Sequence, residues 1–295
     1  MNTAGTPPTP PGDTPPGNEP PGGIEPPPQP PAAPPEPAAP PPQDPPAAPQ
    51  LNGPVTVPAA RGFSWLLDAW SYFTARPVDW ILVVLALFAI NVVLGMIPLL
   101  GPLAQMLISP IFTGGLMLGC RAIDEGGEFR FNYLFAGFQH HAANLATVGG
   151  LYFAAMLAVM LVAGMLAMVF GLGAGGLAGL AAMGDPDVGG VMATGAAGAG
   201  MLLFVLLMLA LMIPVVMAYY FAPVLVMLHD MPPLEAMKLS FQGCLKNLLP
   251  FLLYGLLVMV AAIIAGIPMM LGFLVLLPMI IASMYLAYRD IYLAV

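Results

Sequence analysis

The sequence predicts an all-α fold: a polytopic membrane bundle of about six transmembrane helices, with short interfacial amphipathic helices and a disordered proline-rich N-terminal tail. Three observations carry this. The 295 residues are 59% hydrophobic and only 7% charged, whereas soluble domains carry roughly 25% charged residues to cover a water-facing surface. Mean hydropathy is +0.87. The apolar residues gather in long runs rather than in strand-like alternation. The net charge of −8 misleads about the body of the protein, since five of the fifteen acids (Asp13, Glu19, Glu25, Glu36, Asp44) lie in the tail. Seven Lys and Arg in all argue against nucleic acid as a partner.

Residues 1–57 form a Pro/Ala/Gly tract typified by PPPQPPAAPPEPAAPPPQDPPAAP. It has little to bury and few amide donors, so disorder with stretches of polyproline II is expected. A spacer is the favoured reading. Recruitment of a proline-recognising protein is the alternative, weakened because PxxP recurs by composition and no Lys or Arg lies nearby. The first thirty residues lack a charged segment followed by an apolar one, so no cleavable signal is expected and the first span serves for insertion.

Residues 61–76, RGFSWLLDAWSYFTAR, read as an interfacial helix ended by Pro77. Phe63, Leu66, Leu67, Trp70 and Phe73 make its apolar stripe, and Trp65, Trp70, Tyr72 and Trp80 are rings of the kind that settle at headgroup level. Residues 79–121 then run nearly uncharged. As one helix they would extend about 60 Å at 1.5 Å per residue, twice the roughly 30 Å hydrocarbon core. The run must fold back, and Pro98, Gly101 and Pro102 mark the hairpin. Residues 248–289 pose the same problem and turn at Gly266, Ile267 and Pro268. The expected spans are therefore 79–98, 102–121, 145–171, 200–228, 248–266 and 269–289, with a Gly/Ala loop joining the middle pair.

Charge sets the expected orientation. Arg61, Arg76, Arg121, Arg130, Lys238, Lys246 and Arg289 all fall on one side of a six-span chain, and Asp185 and Asp187 on the other. The positive-inside bias puts both termini in the cytoplasm. Cys120 and Cys244 then sit at cytoplasmic helix ends, where thiols stay reduced. A faint parallel repeat is also present: a proline-broken span, a short helix with Phe135/Gly137 or Phe241/Gly243, then Asn-Leu opening the next span.

The one polar interruption late in the chain is residues 233–246. Pro233 suits a first helical turn and Glu235 the positive end of its dipole. Leu234, Met237, Phe241, Leu245 and Leu248 share one face, while Glu235, Lys238, Gln242 and Lys246 share another. That pattern describes an interfacial helix, apolar side down. Lys238, Lys246 and Gln242 are the candidate contacts to lipid headgroups, each lysine contributing about 1 kcal/mol at an anionic surface. Membrane lipids are the expected partners, and the oligomeric state stays open.

No catalytic, cofactor or metal site is expected. His140 and His141 are adjacent and point apart, His229 is remote in sequence, and neither HExxH nor CxxC occurs. GxGxxG at Gly171, Gly173 and Gly176 follows an apolar span rather than a strand, and so reads as loop. No ionisable residue falls near a span's midpoint, which disfavours ion-coupled transport. Asn91, Gln105, Ser109, Thr113, Thr147, Tyr219, Tyr220, Tyr254 and Ser283 make up the polar inventory of the spans. Pro110, Pro214 and Pro223 could break helices as transporter sites do, but more often prolines only kink.

From Val55 onward the chain resembles a family of bacterial six-span inner-membrane proteins. The carrying residues are ARGFSWLLDAW, GPL…SPIFTGGLMLGCR, LFAGF, APVLVML…PLEAMKLSFQGCLKNLLPF and YRDIY. The second half is also similar to the membrane domain preceding some glycerophosphodiester phosphodiesterases, through its AP…EA…S…N…P pattern; no phosphodiesterase domain accompanies it, so that activity does not carry over. The resemblance implies fold and inner-membrane location and assigns no activity. Two functions follow as expectations: a non-catalytic scaffold or envelope-maintenance factor, or a passive carrier or channel for a lipid or small neutral solute. A polar cavity reaching the midplane favours the second, and a solidly packed bundle the first. For topology, reporters fused after Val188 are expected to read periplasmic, and those after Glu128, Leu234 and Val295 cytoplasmic. A cytoplasmic reading at Val188 contradicts the six-span arrangement.

Overall fold

The structure is a computed structural model that describes residues 51–98, 100–184 and 186–293, without the side chains of 170–182 and 184–198. The tract expected to be disordered lies, up to residue 50, outside the described residues. The chain folds as α1 (Arg61–Ala75), α2 (Pro77–Gly95), α3 (Leu100–Asp124), a 3-10 turn (Phe131–Phe135), α4 (Ala136–Gln139), α5 (Ala142–Gly184), α6 (Pro186–Tyr220), α7 (Ala222–His229), α8 (Pro233–Lys246), α9 (Leu248–Gly266) and α10 (Phe273–Tyr292). Among the described residues there is no strand. Six stretches of the described residues are long and apolar enough to cross a membrane: Pro77–Gly95, Leu100–Asp124, Ala142–Val169, Ala199–His229, Leu248–Gly266 and Phe273–Tyr292.

Both expected hairpins are present. The second is wider than expected, because Met269 and Met270 take left-handed backbone (φ 50° and 66°) and delay the last span to Phe273. The Gly/Ala segment corrects the expectation of a loop. The backbone stays helical to Gly184 and resumes at Pro186, as its alanines, the best helix formers, permit. Gly171, Gly173 and Gly176 thus lie within α5.

Helices α3 and α10 form the centre, half of each apolar window being buried, against 6% for the windows of α5 and α6. The fully buried large side chains, among them Trp65, Trp80, Phe129, Phe221, Tyr288 and Tyr292, cluster at the end of the bundle that carries the Lys and Arg residues. The far halves of α2, α5, α6 and α9 present Phe88, Met165, Leu206 and Ile263 outward. A solid plug at the charged end therefore gives way to spread helices with apolar surfaces.

Two glycines permit the closest crossings. Pro110 has no amide to offer the Met106 carbonyl, and α5 crosses α3 there through Gly149; a Cβ on Gly149 would come within 2.4 Å of that oxygen. At Gly62 a Cβ would lie 2.2 Å from the Pro250 carbonyl, so α1 lies directly on the start of α9.

Several faces differ from those the spacing predicts. Helix α1 buries Gly62, Trp65, Leu66, Ala69, Tyr72 and Phe73, while Phe63, Leu67 and Trp70 are exposed. Trp65 and Trp80 are enclosed by protein rather than set among headgroups: Trp80 stacks on Phe129 with centroids 4.0 Å apart and donates through Nε1 to the Tyr72 carbonyl. Residues 51–57, assigned by composition to the tail, are an ordered strap. The amides of Asn52 and Val55 donate to the carbonyls of Tyr292 and Ile291, each at 2.9 Å.

Candidate functional site

The polar chemistry converges on the last two turns of α10, residues 285–292. Asp124, closing α3, accepts hydrogen bonds from Tyr72 Oη at 2.8 Å, Tyr285 Oη at 3.2 Å and Arg289 Nη1 at 2.5 Å. Asp290 accepts from Arg61 Nε at 2.7 Å and Trp65 Nε1 at 2.8 Å. Tyr288 Oη meets His229 Nε2 of α7, and Tyr292 Oη donates to the Leu239 carbonyl of α8 at 3.0 Å. One segment thus bonds to α1, α3, α7 and α8. Burial and the adjacent Asp124 carboxylate push the Tyr72 hydroxyl well above its ordinary range, so it remains a donor.

Three further pairs lie at this end of the bundle. Arg76 pairs with Glu128, Arg121 Nε with Glu125 at 2.6 Å, and His141 Nε2 with Asp230 at 2.7 Å. His141 and Asp230 both take left-handed backbone where α5 begins and α7 ends. His141 and His229 thus reach the same end of the bundle on different partners. Among the described residues no three His, Cys, Asp or Glu side chains gather as a metal site.

Helix α8 is held by two buried polar side chains. Pro223 breaks the fourth span, and at the break the Phe221 amide does not reach the Met217 carbonyl. Ser240 Oγ inserts between them, accepting from Phe221 N at 2.9 Å and donating to Met217 O at 2.7 Å. A hydroxyl inserted into the helical ladder is a recognised cause of a kink. Asn247, fully buried, accepts from the Val57 amide through Oδ1 at 2.8 Å and donates through Nδ2 to the carbonyls of Val55 and Gly243, each at 2.9 Å. It ties the strap to the turn between α8 and α9. Asn144, its counterpart in the faint repeat, is exposed, so the two halves share an outline and not an environment.

In α8 the residues packed on protein are mainly the small ones. Ala236, Met237, Ser240, Gly243 and Cys244 face the bundle, while Leu234, Leu245 and Leu248 are exposed. Lys238 and Gln242 are exposed; Lys246 donates to the Pro54 carbonyl at 2.9 Å. Between the fourth and fifth spans, a groove of about 280 Å³ is lined by Val216, Tyr220, Cys244, Leu248, Phe251 and Leu252, among others. Cys120 and Cys244 are both buried and free. Burial pushes the Cys244 thiol up to about 12, so it stays protonated.

Sequence reasoning missed Asp124, Tyr72, Tyr285 and Asp290 as partners. The available signal was confined to residues 285–292, where Tyr285, Tyr288 and Tyr292 with the opposite charges Arg289 and Asp290 close an otherwise apolar helix.

The fold defines a class: a polytopic helical membrane protein with its polar organisation at one end. The chain is similar to a protein of Burkholderia thailandensis named as a probable inner membrane protein, 29% identical over 213 residues, covering 69% of this chain and 74% of that relative. No protein-family model matches the chain, and no solved structure does. Nothing in these comparisons links it to glycerophosphodiester phosphodiesterases.

Asn247→Ala is expected to cost about 2–4 kcal/mol, because it leaves buried strap and helix groups without partners. Asn144→Ala is expected to stay within about 0.5 kcal/mol, as for ordinary surface changes. Thermal unfolding of the purified protein measures both; equal effects contradict the assignment.

Proposed function

We propose that this chain is a non-catalytic, multi-pass inner-membrane protein that acts as a membrane scaffold, with both termini in the cytoplasm. The carrying observation is the charged-end plug, in which α10 bonds to α1, α3, α7 and α8 around Asp124 and Asp290. A plate cross-tied in this way offers a fixed cytoplasmic surface. The charges of Arg61, Asp124, Arg289 and Asp290 are spent on internal pairs rather than poised against a bound substrate. The relative's description as a probable inner membrane protein supports the location, and the one-sided Lys and Arg support the orientation.

Helix α8 is the lipid-gripping edge of this plate. Lys238, Lys246 and Gln242 take the headgroup of an anionic lipid, and the groove between α6 and α9 takes its chain. The ammonium of Lys246 has three donors and commits one to Pro54. The tail acts as a spacer, with recruitment of a proline-recognising protein as the lesser role. The passive-carrier reading has a separate observation in its favour, a cleft at the opposite end of the bundle.

A strain lacking the protein is expected to show envelope defects without accumulation of any one metabolite, and the Lys238→Glu/Lys246→Glu form is expected not to rescue it. In native mass spectrometry the same double variant should retain anionic lipid several-fold less, while Gln242→Ala, which removes a hydrogen-bonding group and no charge, should lower retention by a smaller factor. Accumulation of a single metabolite, or unchanged lipid retention in the double variant, contradicts this function.

A further inference from the structure

Away from the charged end, α2, α3 and α10 part to form two adjoining cavities that share Leu87, Asn91 and Ile281. The outer one is a groove of about 570 Å³ with an almost wholly apolar lining, including Phe88, Leu274 and Leu277. The inner one is a pocket of about 170 Å³ into which Asn91, Gln105, Ser109 and Thr113 bring four polar side chains. Gln105, Ser109 and Thr113 recur every fourth residue, so they run as one stripe about 12 Å along α3, ending at mid-helix. No charged residue lines either cavity.

The hydrogen-bonding inventory defines what fits. Asn91 Nδ2 donates to the Leu87 carbonyl at 2.8 Å, and Thr113 Oγ1 to the Ser109 carbonyl at 3.0 Å. These bonds occupy donors. The amide oxygens of Asn91 and Gln105 and the Gln105 NH₂ group stay available to a ligand. Asn91 is exposed and Gln105 half-buried, and polar groups that face hydrocarbon are costly unless something bonds to them. A charged head would gain no counter-charge here and would lose its hydration. Met269 and Met270, at the mouth of the groove, hold φ values of 50° and 66°, a strain that clusters at ligand clamps, on flexible thioether side chains that mould to a bound chain.

We infer that the cleft between α2, α3 and α10 binds an uncharged, hydroxyl-bearing membrane lipid of the diacylglycerol class. Its hydroxyl and ester groups bond with Asn91, Gln105 and Thr113, and one acyl chain fills the groove. The absence of charge selects against a phosphate-bearing head with the same chains. This site is independent of the lysine-bearing α8 at the opposite end of the bundle, so it stands or falls separately from the scaffold role.

The test places the full chain in phosphatidylcholine nanodiscs doped with either dioleoylglycerol or dioleoylphosphatidic acid, and reads the lipid retained by native mass spectrometry. Dioleoylglycerol is expected to be retained at least ten-fold over dioleoylphosphatidic acid by the unaltered protein. Gln105→Leu/Thr113→Val, which keeps shape and removes hydrogen bonding, should abolish that preference. Leu277→Trp, which fills the groove without touching the polar pocket, should lower dioleoylglycerol retention by a similar factor, and Thr147→Val on exposed α5 should change nothing. Failure of the unaltered protein to prefer dioleoylglycerol overturns the assignment. So does a preference that survives in both the pocket variant and the groove variant.

Discussion

Everything in this bundle depends on the last two turns of α10. In a bilayer the lipid chains are as apolar as leucine, so no hydrophobic force drives one span onto another, and packing and hydrogen bonds must supply the specificity. Here one group of hydrogen bonds gathers within residues 285–292, and a second, on Ser240 and Asn247, holds α8. Tyr285 and Arg289 reach Asp124, Asp290 takes Arg61 and Trp65, Tyr288 takes His229, and Tyr292 takes the α8 backbone. The carbonyls of Ile291 and Tyr292 anchor the strap. Removing the Asp124 carboxylate would strand donors of both α1 and α10, and removing that of Asp290 two donors of α1, which couples the helices energetically.

This constraint explains why the two ends differ. Where the polar ties are, large rings such as Trp65, Trp80 and Phe129 are enclosed completely. Where they are absent, the helices spread, α5 and α6 keep mainly to each other, and α2 leaves a cleft beside α3 and α10. Rigidity at one end and openness at the other are the two features on which the proposed scaffold and the proposed lipid cleft rest.

Spans and hairpins were legible because hydropathy and helix rise are local properties, and Pro98, Gly101 and Gly266 punctuate them. Which face of α1 or α8 meets protein was not. Next to a membrane both the lipid-facing and the protein-facing sides are apolar, so the stripe of α1 does not tell that Leu66 and Phe73 are buried while Phe63, Leu67 and Trp70 are exposed. Small residues mark the packed face of α8, and Gly243 under Tyr292 signals contact better than Leu245 does. The polar pocket was half-visible. The spacing of Gln105, Ser109 and Thr113 is in the sequence, whereas Asn91 joins them only through the register of the α2–α3 hairpin. Asp124 gave no local sign, because its partners lie 52, 161 and 165 residues away.

The central claim is that Asp124 and Arg289 act as one unit rather than as a surface ion pair. A double-mutant cycle of Asp124→Asn and Arg289→Gln, followed by thermal and denaturant unfolding of the purified protein, measures their coupling. The account predicts a coupling energy above about 1 kcal/mol, as found for residues in one network. Additive effects, agreeing within about 0.3–0.5 kcal/mol, would contradict it.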